Sequence, residues 1–164
     1  GIIMLLNNFS NILSAKLTYG NSTSMGDKVN YIKTTDGTIF ENNISTTDLY
    51  FYKVANLNDP NNQRGIIFAL SNDENEIDYY DYKIDNIDDQ LTEIGTTINN
   101  SNNYIASKIV KNNTTNNIII NTIGIIIRCY VGSTYKNILI YKTKLNESIN
   151  IAPGETKTFT ITIG

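Results

Sequence analysis

Apolar residues at the start of the chain fall three and four apart: Ile2, Leu5, Leu6, Phe9, Ile12, Leu13 and Leu17. That is the period of a helix with one buried stripe. It predicts an amphipathic helix over residues 2–17, with Asn7, Asn8, Ser10, Asn11, Ser14 and Lys16 on its polar face and Gly20 ending it. Asparagine is a weak helix former, so tertiary or intersubunit packing must hold such a segment. Two roles fit it: a cap over the open end of a β core, or an assembly face built from Leu5, Leu6, Phe9, Ile12 and Leu13.

After Gly20 the period drops to two. "VNYIKTTDGTIF", residues 29–40, alternates around Asp36-Gly37, where glycine supplies the positive φ of a hairpin turn. "DLYFYKVA" (48–55), "IIFAL" (66–70), "YIASKIVKN" (104–112), "ILIYKTKL" (138–145) and the closing "TFTITI" all read as strands. "LNDPNNQRG" (57–65), "NNTTNN" (112–117), "GSTYKN" (132–137) and Pro153-Gly154 read as loops or turns.

"IIINTIGIIIRCYV", residues 118–131, is the most apolar stretch. It is too short for a membrane helix, which needs roughly 20 apolar residues, and Asn121, Thr122 and Arg128 interrupt it. Isoleucine is β-branched and favours strands. The stretch predicts strand at 118–121 and 125–130, with Gly124 permitting a bulge or a close approach. Its near-continuous apolar character requires cover on both faces, the second supplied by the N-terminal helix or another subunit. Short strands spaced about 8 to 12 residues apart, with one helix outside the pattern, predict a mainly β chain. The expected architecture is an antiparallel β-sandwich, jelly-roll or immunoglobulin-like, over residues 21–164, with the helix in residues 1–20. Ile118, Ile120, Ile125, Ile127, Leu139, Tyr141, Phe159 and Ile161 are the expected core.

Length and charge sharpen this. The 164 residues make one domain with room for a core. A net charge of -3 argues against duplex nucleic acid as a partner. The abundance of Asn and Ile matches an AT-rich coding sequence. It also makes glycosylation triplets such as those at Asn8, Asn21, Asn43, Asn113 and Asn146 expected by chance. The apolar opening lacks the basic leader and small-residue cleavage site of a signal peptide, and Met4 stands where a natural start would.

The chain has no histidine and one cysteine, Cys129. This removes Ser-His and Cys-His nucleophile pairs and any internal disulfide. Half of the carboxylates lie in "NDENEIDYYDYKIDNIDD", residues 72–89. The calcium-loop pattern with a closing glutamate is absent there. A solvated edge that deters strand pairing is the plainer reading of Asp73, Glu74, Glu76, Asp78, Asp81, Asp85, Asp88 and Asp89. No spacing selects the facing carboxylate pair of a glycosidase. The expectation is a chain without catalytic residues, metal or cofactor.

Four words in the second half, "YYDYKIDN", "NNTTNNIIINTIGIII", "GSTYKNILIYKTKL" and "SINIAPGETKTFTITIG", follow one another in an order and spacing that resembles a type of small tailed-bacteriophage virion protein. The leading helix and the "VNYIKTTDGTIF" hairpin are similar too. The resemblance implies a virion structural protein, of capsid surface or tail, whose partners are copies of itself and other virion proteins, with no nucleic acid or membrane contact. Thr122 stands where the similar proteins carry an acid, and Lys142 where they carry arginine. If those two form an internal ion pair in relatives, this chain has lost the acid. The alternative is a glycan-binding or adhesion module using Tyr50, Tyr52, Tyr79, Tyr80 and Tyr82 as a contact strip, with or without calcium.

Overall fold

A computed structural model describes residues 2–19, 28–55, 64–99 and 102–163. The chain runs β1 (Ile2–Leu5), α1 (Asn7–Tyr19), β2 (Lys28–Val29), β3 (Ile32–Lys33), β4 (Ile39–Phe40), β5 (Ile44–Ser45), β6 (Gly65–Ser71), β7 (Thr92–Asn99), β8 (Tyr104–Lys111), β9 (Ile118–Val131), β10 (Thr134–Ile151) and β11 (Thr156–Ile163). All the sheets are antiparallel. One has the order β1-β10-β9-β6 and another β11-β8-β7, while β2-β5 and β3-β4 form small two-stranded pairs. The fold is mainly β, with one helix and a sandwich-like arrangement, as the alternating pattern predicts.

The isoleucine run makes one unbroken strand, β9, with partners on both sides. Alternation then sends its side chains to two separate cores. Ile123, Ile125, Ile127 and Cys129 join Ile66, Phe68 and Leu70 of β6, Ala106 and Val110 of β8, and Phe159 and Ile161 of β11. Ile12 and Ala15 of α1 belong to the same cluster. On the opposite face Ile126 meets Ile67, Ala69, Leu139, Leu6 and Ile84, with Met4, Ile77 and Ile87 packed around them. All eight expected core residues are buried. Each fully buried isoleucine contributes about 1.5–3 kcal/mol.

The second face therefore has its cover within the chain. The acidic connection between β6 and β7 lies over it and inserts Ile77, Ile84 and Ile87. Neither a second subunit nor the helix alone is needed there. Gly124 marks a close approach: a Cβ at that position would overlap Cδ1 of Ile84. β9 itself carries no bulge at Gly124. The irregularities fall on β10, between Leu139 and Tyr141 and between Lys144 and Ile149.

Several expectations need correction. The helix begins at Asn7, and Ile2–Leu5 instead pairs with β10 from Lys144 back to Tyr141. The bulge at Ile140 explains the switch, because its carbonyl accepts from Leu6 N at 2.9 Å just as the chain leaves the sheet. Residues 48–55 are not a strand. Thr46–Asp48 is a 3-10 turn capped by Ser45, and Val54 makes a single bridge to Ile66. The turn after β9 is only Gly132-Ser133, both at positive φ, and Thr134 to Asn137 continue the hairpin. β7 went unpredicted because "TEIGTTIN" has no sustained alternation. Gly20, the sequon at Asn21 and most of the 57–65 loop lie outside the described residues.

Candidate functional site

The acidic segment is held by its own backbone and by two lysines. Asp73, almost fully buried, accepts from Asn75 N at 2.8 Å and Asp85 N at 3.2 Å. Ser71 Oγ accepts from Asp73 N and donates to the Asp85 carbonyl. Lys142, equally buried, reaches Asp81 at 3.1 Å and Asp73 at 3.7 Å. Lys144 pairs with Glu76 at 3.0 Å nearer the surface. The cation of "YKTK" has thus not lost its acid. Its carboxylates come from the connection over the sheet, and Thr122 Oγ1 donates to the Asp73 carbonyl at 2.7 Å. Among the described residues no three His, Cys, Asp or Glu side chains are gathered as metal ligands. Glu74, Glu76, Asp78, Asp85 and Asp89 are exposed, as the solvated-edge reading expects, while Asp73 and Asp81 are drawn onto Lys142. The segment is a lid anchored by ion pairs and isoleucines.

The five tyrosines do not form one strip. Tyr50 and Tyr52 stand 5.5 Å apart, ring to ring, on the connection after β5. They line an open cleft of about 670 Å³ with Lys16, Leu49, Ile98 and Tyr104. Arg64 Nη1 donates to Tyr50 Oη at 3.3 Å, and the Lys53 ammonium lies 5.5 Å from the Tyr50 ring. Tyr104 donates to the Phe51 carbonyl at 2.8 Å, and burial pushes its phenol up to about 12. The other three tyrosines brace the start of α1 and the β3-β4 hairpin. Tyr79 donates to Ser10 Oγ at 2.7 Å and its carbonyl accepts from Asn7 N at 2.9 Å. Tyr80 packs edge-on against Tyr79, and Lys33 sits 3.9 Å over the Tyr82 ring.

The expected assembly residues also divide. Leu6 and Ile12 are buried in the protein's own two cores, so they offer no docking surface, and Phe9 is half-buried against one of them. Ile12 and Ala15 form the inward face of α1 and pack into the main core. Leu13 remains 45% exposed and Leu17 76% exposed, one helical turn apart on the outer face, and Leu5 is exposed on β1. Leu17 belongs to this face although the sequence reading left it out.

Sequence reasoning also missed Lys108. It lies in phase with Ala106 and Val110 on β8, so its side chain runs between the sheets, and that phase was a readable signal. Its ammonium donates to the Phe68 carbonyl at 3.0 Å. Burial pushes it below the ordinary lysine value, against the pull of Glu93 and Asp88.

Comparison of the chain with protein-family models, with curated proteins and with solved structures gives no match.

Proposed function

We propose that this chain is a bacteriophage virion structural protein, of capsid surface or tail, that works by assembling with copies of itself and with other virion proteins and carries out no reaction. One observation carries the assembly reading: Leu13 and Leu17 are exposed on the outer face of a helix whose inner face is locked into the core. Adjacent large apolar side chains on an otherwise docked helix are a contact surface in search of a partner. The order and spacing of the four sequence words in the second half support the virion setting.

Removing the helix cannot test this, because Ile12 and Ala15 belong to the main core. The test is a paired Leu13→Glu and Leu17→Glu substitution. The variant should keep native circular dichroism and lose assembly mass in light scattering. An unchanged mass would remove the helix face from the reading. Mass spectrometry of purified particles should find the chain in stoichiometric amount, and its absence would remove the virion setting.

A second reading rests on the cleft at Tyr50 and Tyr52. Two neighbouring tyrosine rings beside Lys53 and Arg64 suit a sugar face with polar substituents. A glycan array with wild-type and Tyr50→Ala/Tyr52→Ala protein, with and without chelator, separates the two. Hits lost in the variant favour adhesion, and no hits leave the structural role.

A further inference from the structure

Among the described residues the two larger sheets present four outer edges, and three of them are blocked. The edge of β6 is taken up: Ala55 N donates to the Ile66 carbonyl at 2.8 Å, Ile66 N to the Lys53 carbonyl at 2.8 Å, and Asp88 N to the Leu70 carbonyl at 2.7 Å. Lys108 fills the remaining gap at the Phe68 carbonyl. The edge of β7 is broken by a bulge between Glu93 and Gly95, with Glu93 exposed beside it. β1 is only four residues long. Bulges, edge charges and short strands are the devices by which sheets refuse a further strand.

β11 has one charge, Lys157 near its start, and otherwise none of these. Its eight residues pair with β8 one for one, without a register shift. From Thr158 to Ile163 it has no charge, glycine or proline. The ladder's phase can be read from its end, where Asn112 N donates to the Glu155 carbonyl at 2.9 Å. Antiparallel pairs alternate between bonded and non-bonded. Lys157, Phe159, Ile161 and Ile163 therefore bond to β8. The N–H and C=O groups of Thr156, Thr158, Thr160 and Thr162 turn to the open edge.

We infer that this edge pairs, antiparallel, with β11 of a second copy of the chain, with the twofold axis at Thr160. The inference deepens the assembly reading above and rests on it. In that register Thr160 faces Thr160 and Thr158 faces Thr162, and all of these are edge-facing residues able to exchange both backbone hydrogen bonds. Lys157 falls opposite Ile163, so no like charges meet. Phe159 falls opposite Ile161. The outer hydroxyl row that Thr160 forms with Ser107, at 3.0 Å, continues into the partner. A strand that satisfies itself about its own twofold is what an isologous contact requires. The result is a six-stranded sheet, β7-β8-β11-β11-β8-β7.

The experiment is light scattering of the full chain over a concentration series, with amide exchange read at Thr158, Thr160 and Thr162. Wild type should reach at least twice the chain mass with those three amides protected. Thr160→Pro removes only an outward N–H, and Thr160→Lys sets two cations face to face at the axis. Each should at least halve the assembly mass, with native circular dichroism, and leave the three amides unprotected. Thr158→Lys/Thr162→Lys should also lose the dimer, and Thr158→Lys/Thr162→Glu should keep it, because the register sets those two positions opposite each other. A wild type of single-chain mass at every concentration, or a dimer indifferent to both Thr160 variants, overturns the edge pairing. If mass then falls only with Leu13→Glu/Leu17→Glu, the assembly reading survives without it. If the Thr160 variants abolish the dimer but the chain is missing from particles, the pairing stands and the virion setting falls.

Discussion

Lys142 and Asp73 meet at 3.7 Å with both side chains almost fully shut off from solvent. Asp81 completes the group at 3.1 Å from the same ammonium. The two ends of this contact lie far apart in sequence, so it clamps the acidic lid onto β10. Removing one member of a buried pair leaves an uncompensated charge and costs about 3–5 kcal/mol. Lys142→Met should lose that much in denaturant unfolding. Lys142→Met with Asp73→Asn should lose clearly less than the two single losses added, since the only charge then left without its lysine is Asp81, which is partly exposed.

Gly124 and Ile84 occupy one space. A Cβ at Gly124 would also lie 3.2 Å from Leu139 Cδ1 and from the Tyr141 carbonyl oxygen. Gly124→Ala should therefore destabilise by about 1–3 kcal/mol, the usual cost of overpacking. Ile84→Val removes the Cδ1 that clashes. Added to Gly124→Ala, it should recover part of the loss, whereas alone it should cost about 0.5–1.5 kcal/mol. Thermal unfolding of the four proteins checks the sign of the coupling.

Burial raises two groups in the folded state: Cys129 from 9.0 to about 12 and Tyr104 from 10.0 to about 12. In each the neutral form is the one the fold holds. Their contribution is fully present below the ordinary values of 9.0 and 10.0 and is lost as pH rises through that range toward 12. Stability should hold at neutral pH and fall in the alkaline range, by up to about 1.4 kcal/mol per pH unit for each group that ionises only on unfolding. Cys129→Ala should make the alkaline slope shallower. A thiol reagent should label Cys129 at the rate of unfolding, because the folded thiol is buried and protonated.

The sequence carried the β architecture and the core well, because β-branched residues in a two-residue period leave few alternatives. Ile125, Ile127, Phe159 and Ile161 all fall where that period puts them, while Ile120 joins the same core out of phase with Ile125. It misplaced the helix start because Ile2 and Leu5 fit a helical stripe and a strand equally well. The backbone bond from Leu6 to Ile140 decides between the two, and no local pattern encodes it. The acidic segment read as solvated surface because eight carboxylates outweigh three isoleucines in composition. That holds for most of the carboxylates, and tertiary structure overrides it at Asp73 and Asp81 by giving them a buried lysine. The tyrosines looked like one strip only because they alternate locally, and the fold sends them to different partners.

Asn112 ends β8 at a place that reads, in sequence, as one more residue of a polar turn. Its side chain is fully buried and all its hydrogen-bonding groups are engaged. Nδ2 donates to the carbonyls of Asn116 and Ile151, each at 2.8 Å, and Oδ1 accepts from Thr114 N at 2.9 Å and Thr114 Oγ1 at 2.6 Å. Its backbone donates to the Glu155 carbonyl and accepts from Gly154 N. One residue thereby ties together the ends of β8 and β10 and the turn that leads into β11. Asn112→Ala strips the buried Ile151 carbonyl of a partner and should cost about 1–3 kcal/mol. Asn112→Asp should do no better, since a carboxylate cannot donate to either carbonyl. The neighbouring Asn113 is exposed and bonds only Thr92 Oγ1 through its side chain, so Asn113→Ala should stay within about 0.5 kcal/mol of wild type. Equal losses at the two positions in denaturant unfolding would show that the link between the strands depends on the whole turn, not on Asn112.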